Sequence, residues 1–138
     1  MYLRWKIYAA VYALMIISGT YFSLLPESRI LDYYQILILL DKRHWWNLYL
    51  FYISCFFEVI SLVPLFLFVF RIRWLSQDFW KIILAGRLVG LAGGHNFDYN
   101  LIISLIFANP IHAFIAILVT ALISLPSFCA QFIYAFRK

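Results

Sequence analysis

Apolar residues fall along this chain in four long runs, at about residues 7–25, 48–70, 80–107 and 111–136, each closed by polar or turn-forming residues. A bilayer core of about 30 Å takes about 20 apolar residues per helix, so four spans fill the chain and leave no soluble domain. The pattern predicts an all-α integral membrane protein with residues 1–138 as one four-helix transmembrane domain. Pro26 ends the first run. In the connection that follows, Arg29–Leu40 is too short to cross a bilayer and too apolar for a solvated loop. It predicts a short interfacial helix, with Ile30, Leu31, Tyr34, Leu37 and Ile38 toward the membrane and Arg29, Asp32 and Gln35 toward water. Asp41, Lys42, Arg43 and His44 form a solvated cluster, with His44 read as a surface residue. Trp45 and Trp46 mark the aromatic belt where the second span begins.

Two runs contain their own interruptions. Pro64 cannot donate to the Ile60 carbonyl and invites a kink in the second span, and Pro126 can do the same in the fourth. The third run would be about 42 Å long as a straight helix, too long to stand upright in a bilayer. It must tilt or break, and Gly93-Gly94 is the place to break. Asn109-Pro110 closes it.

Composition agrees with this class: 66% of residues are hydrophobic and 21% aromatic, against roughly 45–50% apolar usage in soluble domains. A net charge of +5 would suit a nucleic-acid binder, but the cations sit at the ends of spans, where membrane topology is encoded. No nucleic-acid partner is expected. Grouping both termini with the 71–81 turn collects Arg4, Lys6, Arg71, Arg73, Lys81, Arg137 and Lys138, against Arg29, Lys42 and Arg43 on the other side. That bias predicts both termini in the cytoplasm. The basic start before the first run also has the shape of a secretory leader, but no small-residue cleavage site follows, so a retained span is expected. Cys55 and Cys129 fall in different spans at different depths and are expected to be unpaired fillers.

The polar content of the membrane region gathers in residues 85–100, AGRLVGLAGGHNFDYN, and at Glu58 in the second span. Polar groups in hydrocarbon are costly unless paired, so Glu58, Arg87, His95, Asn96 and Asp98 are the candidate functional cluster. Four of the five glycines lie here too. At helical spacing Gly86, Gly90 and Gly94 form one stripe, a glycine-zipper-like surface for close packing against the first span, the fourth span or another subunit. Arg87 either snorkels to the head groups or pairs with Glu58, whose Cα lies at a depth about 8 Å away on the helical rise. A break at Gly93-Gly94 would make Asn96 an N-cap, with Asp98 in the first turn of a second half-helix. His95 and Asp98, three residues apart, can share one ion or proton. A metal site or bis-His haem including His112 is not expected, and interhelical hydrogen bonds are the preferred reading.

No P-loop, H-E-x-x-H, paired carboxylates or nucleophile with a neighbouring base is visible. No catalytic residue, metal or cofactor is therefore expected. The first functional expectation is a non-catalytic accessory or stabilising subunit of a larger membrane complex. The alternative is a small oligomeric transporter or ion- or proton-conducting protein using Glu58, Arg87, His95 and Asp98. Further classes are a membrane-embedded immunity or inhibitor protein and, last, an enzyme acting on lipid. Expected partners are other membrane subunits or a second copy of the chain, together with membrane lipids.

Overall fold

The computed structural model describes residues 2–136, and among them every side chain except those of Tyr2 and Asn96. Arg137 and Lys138, two of the seven cations counted above, lie outside the described residues, as does the side chain of Asn96. Helix accounts for 89% of the structure, with no strand among the described residues. The helices are α1 (Tyr2–Leu24), α2 (Arg29–Leu40), α3 (Trp45–Ile60), α4 (Leu62–Phe70), α5 (Gln77–Gly93), α6 (Asn96–Ala108) and α7 (Pro110–Phe136). Three stretches are long and apolar enough to cross a membrane: Leu3–Leu24, Lys42–Phe70 and Pro110–Phe136. The third apolar run instead forms α5 and α6, of 17 and 13 residues. Neither alone reaches the length of a span of about 20 residues.

Local chemistry sets these boundaries. The Ser28 side chain accepts from the Leu31 N–H at 3.2 Å and Ser76 from the Phe79 N–H at 3.3 Å, capping α2 and α5. Pro110 opens α7, where its missing N–H costs nothing, and the Asn109 side chain accepts from the His112 N–H at 3.3 Å. The second run is interrupted at Ser61, three residues before Pro64, because the proline has no N–H for the Ile60 carbonyl. By contrast α7 runs on through Pro126. Outside the spans, Asp41 accepts from Arg43, whose guanidinium holds the Asp41 carboxyl below its ordinary range.

Packing divides the bundle into layers. At one end, Ala9, Tyr12 and Ala13 of α1 meet Leu62, Leu65 and Val69 of α4 and Ala130 of α7. Trp80 and Ile83 of α5 close on Ala135 of α7 beside them. The Tyr134 hydroxyl ties that end down, accepting from the Trp74 N–H and donating to the Ile72 carbonyl, both at 2.9 Å. At the other end, Leu31 and Tyr34 of α2 pack on Phe51 of α3. This corrects the expected orientation of α2: two of the residues assigned to lipid are buried against protein. Helix α5 packs most extensively on α3 and then on α7, while α6 packs on α7. The polar residues lie between the two apolar ends.

Candidate functional site

Arg87 stands about 15 Å along α5, and Tyr12, Glu58 and Ser127 lie about 14–18 Å from the same end of the bundle on α1, α3 and α7, so the four share one level of the bundle. Arg87 is buried, its side chain 0% exposed. It has five N–H donors, and every one is used. Nε donates to Glu58 Oε1 at 3.1 Å, and Nη2 donates to Glu58 Oε2 at 3.1 Å and to the Tyr12 hydroxyl at 2.7 Å. Nη1 donates to Ser127 Oγ and Gln131 Oε1, both at 3.1 Å. The Phe128 ring lies against the guanidinium, with 3.7 Å from its centroid to Cζ. Arg87 therefore turns inward rather than snorkelling, and one side chain joins α1, α3, α5 and α7. The Gln131 amide nitrogen has no partner among the described residues.

The glycine stripe explains how α5 comes this close to α3. A Cβ at Gly86 would overlap the Phe57 ring, and one at Gly90 would lie 3.0 Å from Ser54 Cα. At Gly94 it would overlap Ser54 Cβ and stand 2.7 Å from the Leu50 carbonyl oxygen. The stripe's partner is α3, neither of the spans expected from the sequence. Physically, the short turn after α4 sends α5 back alongside the span it has just left.

One helical turn from Glu58 on α3, Ser54 begins a second polar group. Its Oγ lies 2.9 Å from His95 Nε2, and His95 Nδ1 lies 2.8 Å from Asp98 Oδ2. Asn96 was expected to cap α6, but it is the first helical residue. His95 occupies the cap position with its side chain turned to Ser54 and Asp98 instead of the helix amides. The Gly94 carbonyl accepts from the Tyr34 hydroxyl at 3.1 Å, which fixes the break from the side of α2. His112 is exposed. No group of three or more His, Cys, Asp or Glu placed to hold a metal occurs among the described residues.

A cavity of about 360 Å³ connects these groups. Tyr12, Glu58, Arg87 and Phe128 border one part of it and Ser54, His95, Asp98 and Ser23 another, with Thr20, Thr120 and Ser124 along the walls. The structure thus brings together Glu58, Arg87, His95 and Asp98, and it adds residues the sequence reading passed over. Gln131, a lone amide in a long apolar run, was a visible signal. So was Ser54, four residues from Glu58 and on the same helical face. Tyr12 and Ser127 carried no such signal, since tyrosines and hydroxyls recur throughout the chain.

Compared with protein-family models, curated proteins and solved structures, the chain matches none of them. What stands is the class: an all-helical protein with three helices able to cross a membrane.

Proposed function

We propose that this chain is a four-span membrane protein, α5 and α6 together making the crossing that neither makes alone, and that it is a small transporter or proton-conducting protein. The observation that carries the reading is that one cavity, mostly apolar in its walls, is lined by Glu58, Arg87, His95 and Asp98 together. A charge pair that serves only as glue has no need of such a space, whereas a proton or small polar solute in transit does. Glu58 is the group placed to exchange: its side chain is 14% exposed, against 0% for Arg87, whose donors are all committed. Beyond the pair, Leu62, Leu65 and Val69 close the bundle, so the path reads as a half-channel whose far side must open by movement.

The test is potential-driven proton uptake into liposomes containing the purified chain and a trapped pH-sensitive dye. Uptake is expected in the parent and is expected to fall to the level of empty liposomes in Glu58→Gln. Uptake unchanged in that variant would sink the reading. A second reading, the stabilising subunit, is favoured by α6 and the first half of α7, where Ala113 is the only buried residue among those described. A parent without uptake that co-purifies in mild detergent with a stoichiometric second membrane protein would decide for it.

A further inference from the structure

Ser54, His95 and Asp98 are connected in the order of a nucleophile, its base and the group that orients the base. Asp98 Oδ2 sits 2.8 Å from His95 Nδ1, which fixes the proton on that nitrogen and turns the lone pair of Nε2 toward Ser54 Oγ, 2.9 Å away. Other hydroxyls in these helices behave differently. Ser18, Ser104, Thr120 and Ser124 donate to carbonyls three or four residues back in their own helix, and Ser61, at the end of α3, does so to Glu58. That is the default for a hydroxyl in an apolar helix. Ser54 is directed across to His95 in the break between α5 and α6, and it can sit there only because Gly90 and Gly94 face it.

We infer that Ser54 is an activated nucleophile, with His95 as general base and Asp98 as its positioning residue, acting on a carboxylic ester with an apolar acyl chain. The inference goes beyond the transport reading and rests on the three-residue relay, though it uses the same cavity. All three residues line that cavity, and Met15, Ile16, Phe51 and Leu91 supply apolar wall for an acyl chain. In the first step Ser54 Oγ adds to the ester carbonyl as its proton passes to His95 Nε2. The bond to the alcohol oxygen then breaks, and the departing alcohol takes that proton. Water next adds to the acyl-serine, again giving a proton to His95. Ser54 leaves with that proton, and the carboxylic acid is released. The oxyanion needs N–H donors; the Phe97 amide in the first turn of α6 is engaged by the Tyr34 hydroxyl, so a substrate would have to displace that contact or draw on a neighbouring amide.

The purified full chain in detergent is treated with an alkyl fluorophosphonate, a reagent that phosphonylates only activated serines, and the intact mass and modified residue are read by mass spectrometry. One adduct per chain at Ser54 is expected, none in Ser54→Ala, and turnover of p-nitrophenyl octanoate should be lost in that variant. Asp98 is more than half exposed, so Asp98→Asn should fold and keep its parent melting temperature. Its labelling rate should drop at least about 100-fold, because an amide favours the wrong imidazole tautomer. A folded parent without an adduct at Ser54, or one labelled equally fast in Asp98→Asn, overturns the inference and leaves the three residues as an interhelical hydrogen-bond chain. Labelling at Ser54 that persists in Glu58→Gln keeps this result separate from the proton-uptake test, which Glu58 alone decides.

Discussion

At the residue scale, the centre of the molecule is a cation that cannot lose its charge. An arginine keeps its charge, so a guanidinium buried among apolar helices persists only if its partners replace water completely. Here they do, through one carboxylate, two hydroxyls, an amide oxygen and an aromatic face. Removing one member of a buried ion pair typically costs about 3–5 kcal/mol, since it strands the other charge. Glu58→Gln and Arg87→Gln are each expected to lose stability on that scale in detergent unfolding. The double variant should recover most of it, though less than all, because Tyr12, Ser127 and Gln131 lose their donor with Arg87. Single variants that unfold like the parent would mean that the pair does not hold the bundle. The meeting of Glu58 and Arg87 was legible in the sequence, because helical rise converts residue number into depth and only one cation lay within reach of the carboxylate. Of the neutral partners, Gln131 was marked as a lone amide in an apolar run, but Tyr12 and Ser127 were not, since nothing in their neighbourhoods marks which hydroxyl faces inward.

At the scale of elements, the fit of α5 on α3 depends far more on the missing side chain of Gly94 than on that of Gly93. Gly94 faces Ser54 Cβ and the Leu50 carbonyl, one buried and the other backbone, and neither can move aside. Gly93 faces only the Cδ1 end of Leu50 at 3.2 Å, which can rotate away. Overpacking a tight contact costs about 1–3 kcal/mol, while alanine in place of glycine in a helix gains up to about 1 kcal/mol. Gly94→Ala is therefore expected to lower the unfolding midpoint, and its neighbour Gly93→Ala to leave it unchanged or raise it. Equal effects at the two positions would show that the contact with α3 is looser than described. The stripe and the break after it were readable from spacing and composition, as were the bounds of α2. The partner helix and the cap were not. Packing partners follow from how short turns fold the chain back, and His95 took the cap position because its ring had better acceptors and donors in Asp98 and Ser54 than in the helix amides.

At the scale of the whole molecule, charge and packing can be compared directly. Lys6 lies 5.4 Å from the Phe70 ring centroid, Lys81 lies 5.5 Å from that of Phe136, and Trp5 packs edge-on to Phe68. The start of α1, the end of α4, the start of α5 and the end of α7 therefore share one end of the bundle, which also carries Arg4, Arg71 and Arg73. Arg29, Lys42 and Arg43 belong to α2 and the turn after it, at the other end. Basic residues in short connections stay on the cytoplasmic side of a membrane, so the first end is expected to face the cytoplasm. The cavity then has a direction. Its lining runs along α1 from Tyr12 at mid-depth to Ser23 near the α2 end, and it includes Ile30 of α2 itself. The closed end, filled by Leu65 and its neighbours, is then expected to face the cytoplasm. Water and solute should enter from the opposite side. Single cysteines at positions 3, 42, 76 and 20, in a background with Cys55→Ala and Cys129→Ser, test both statements with a membrane-impermeant maleimide. Positions 42 and 20 are expected to react from the non-cytoplasmic face, and 3 and 76 only after the cytoplasmic face is opened. Labelling of 42 from the same side as 76 would overturn the topology. Reaction of position 20 only from the side of 76 would leave the topology standing but reverse the cavity, making Glu58 accessible from the cytoplasm.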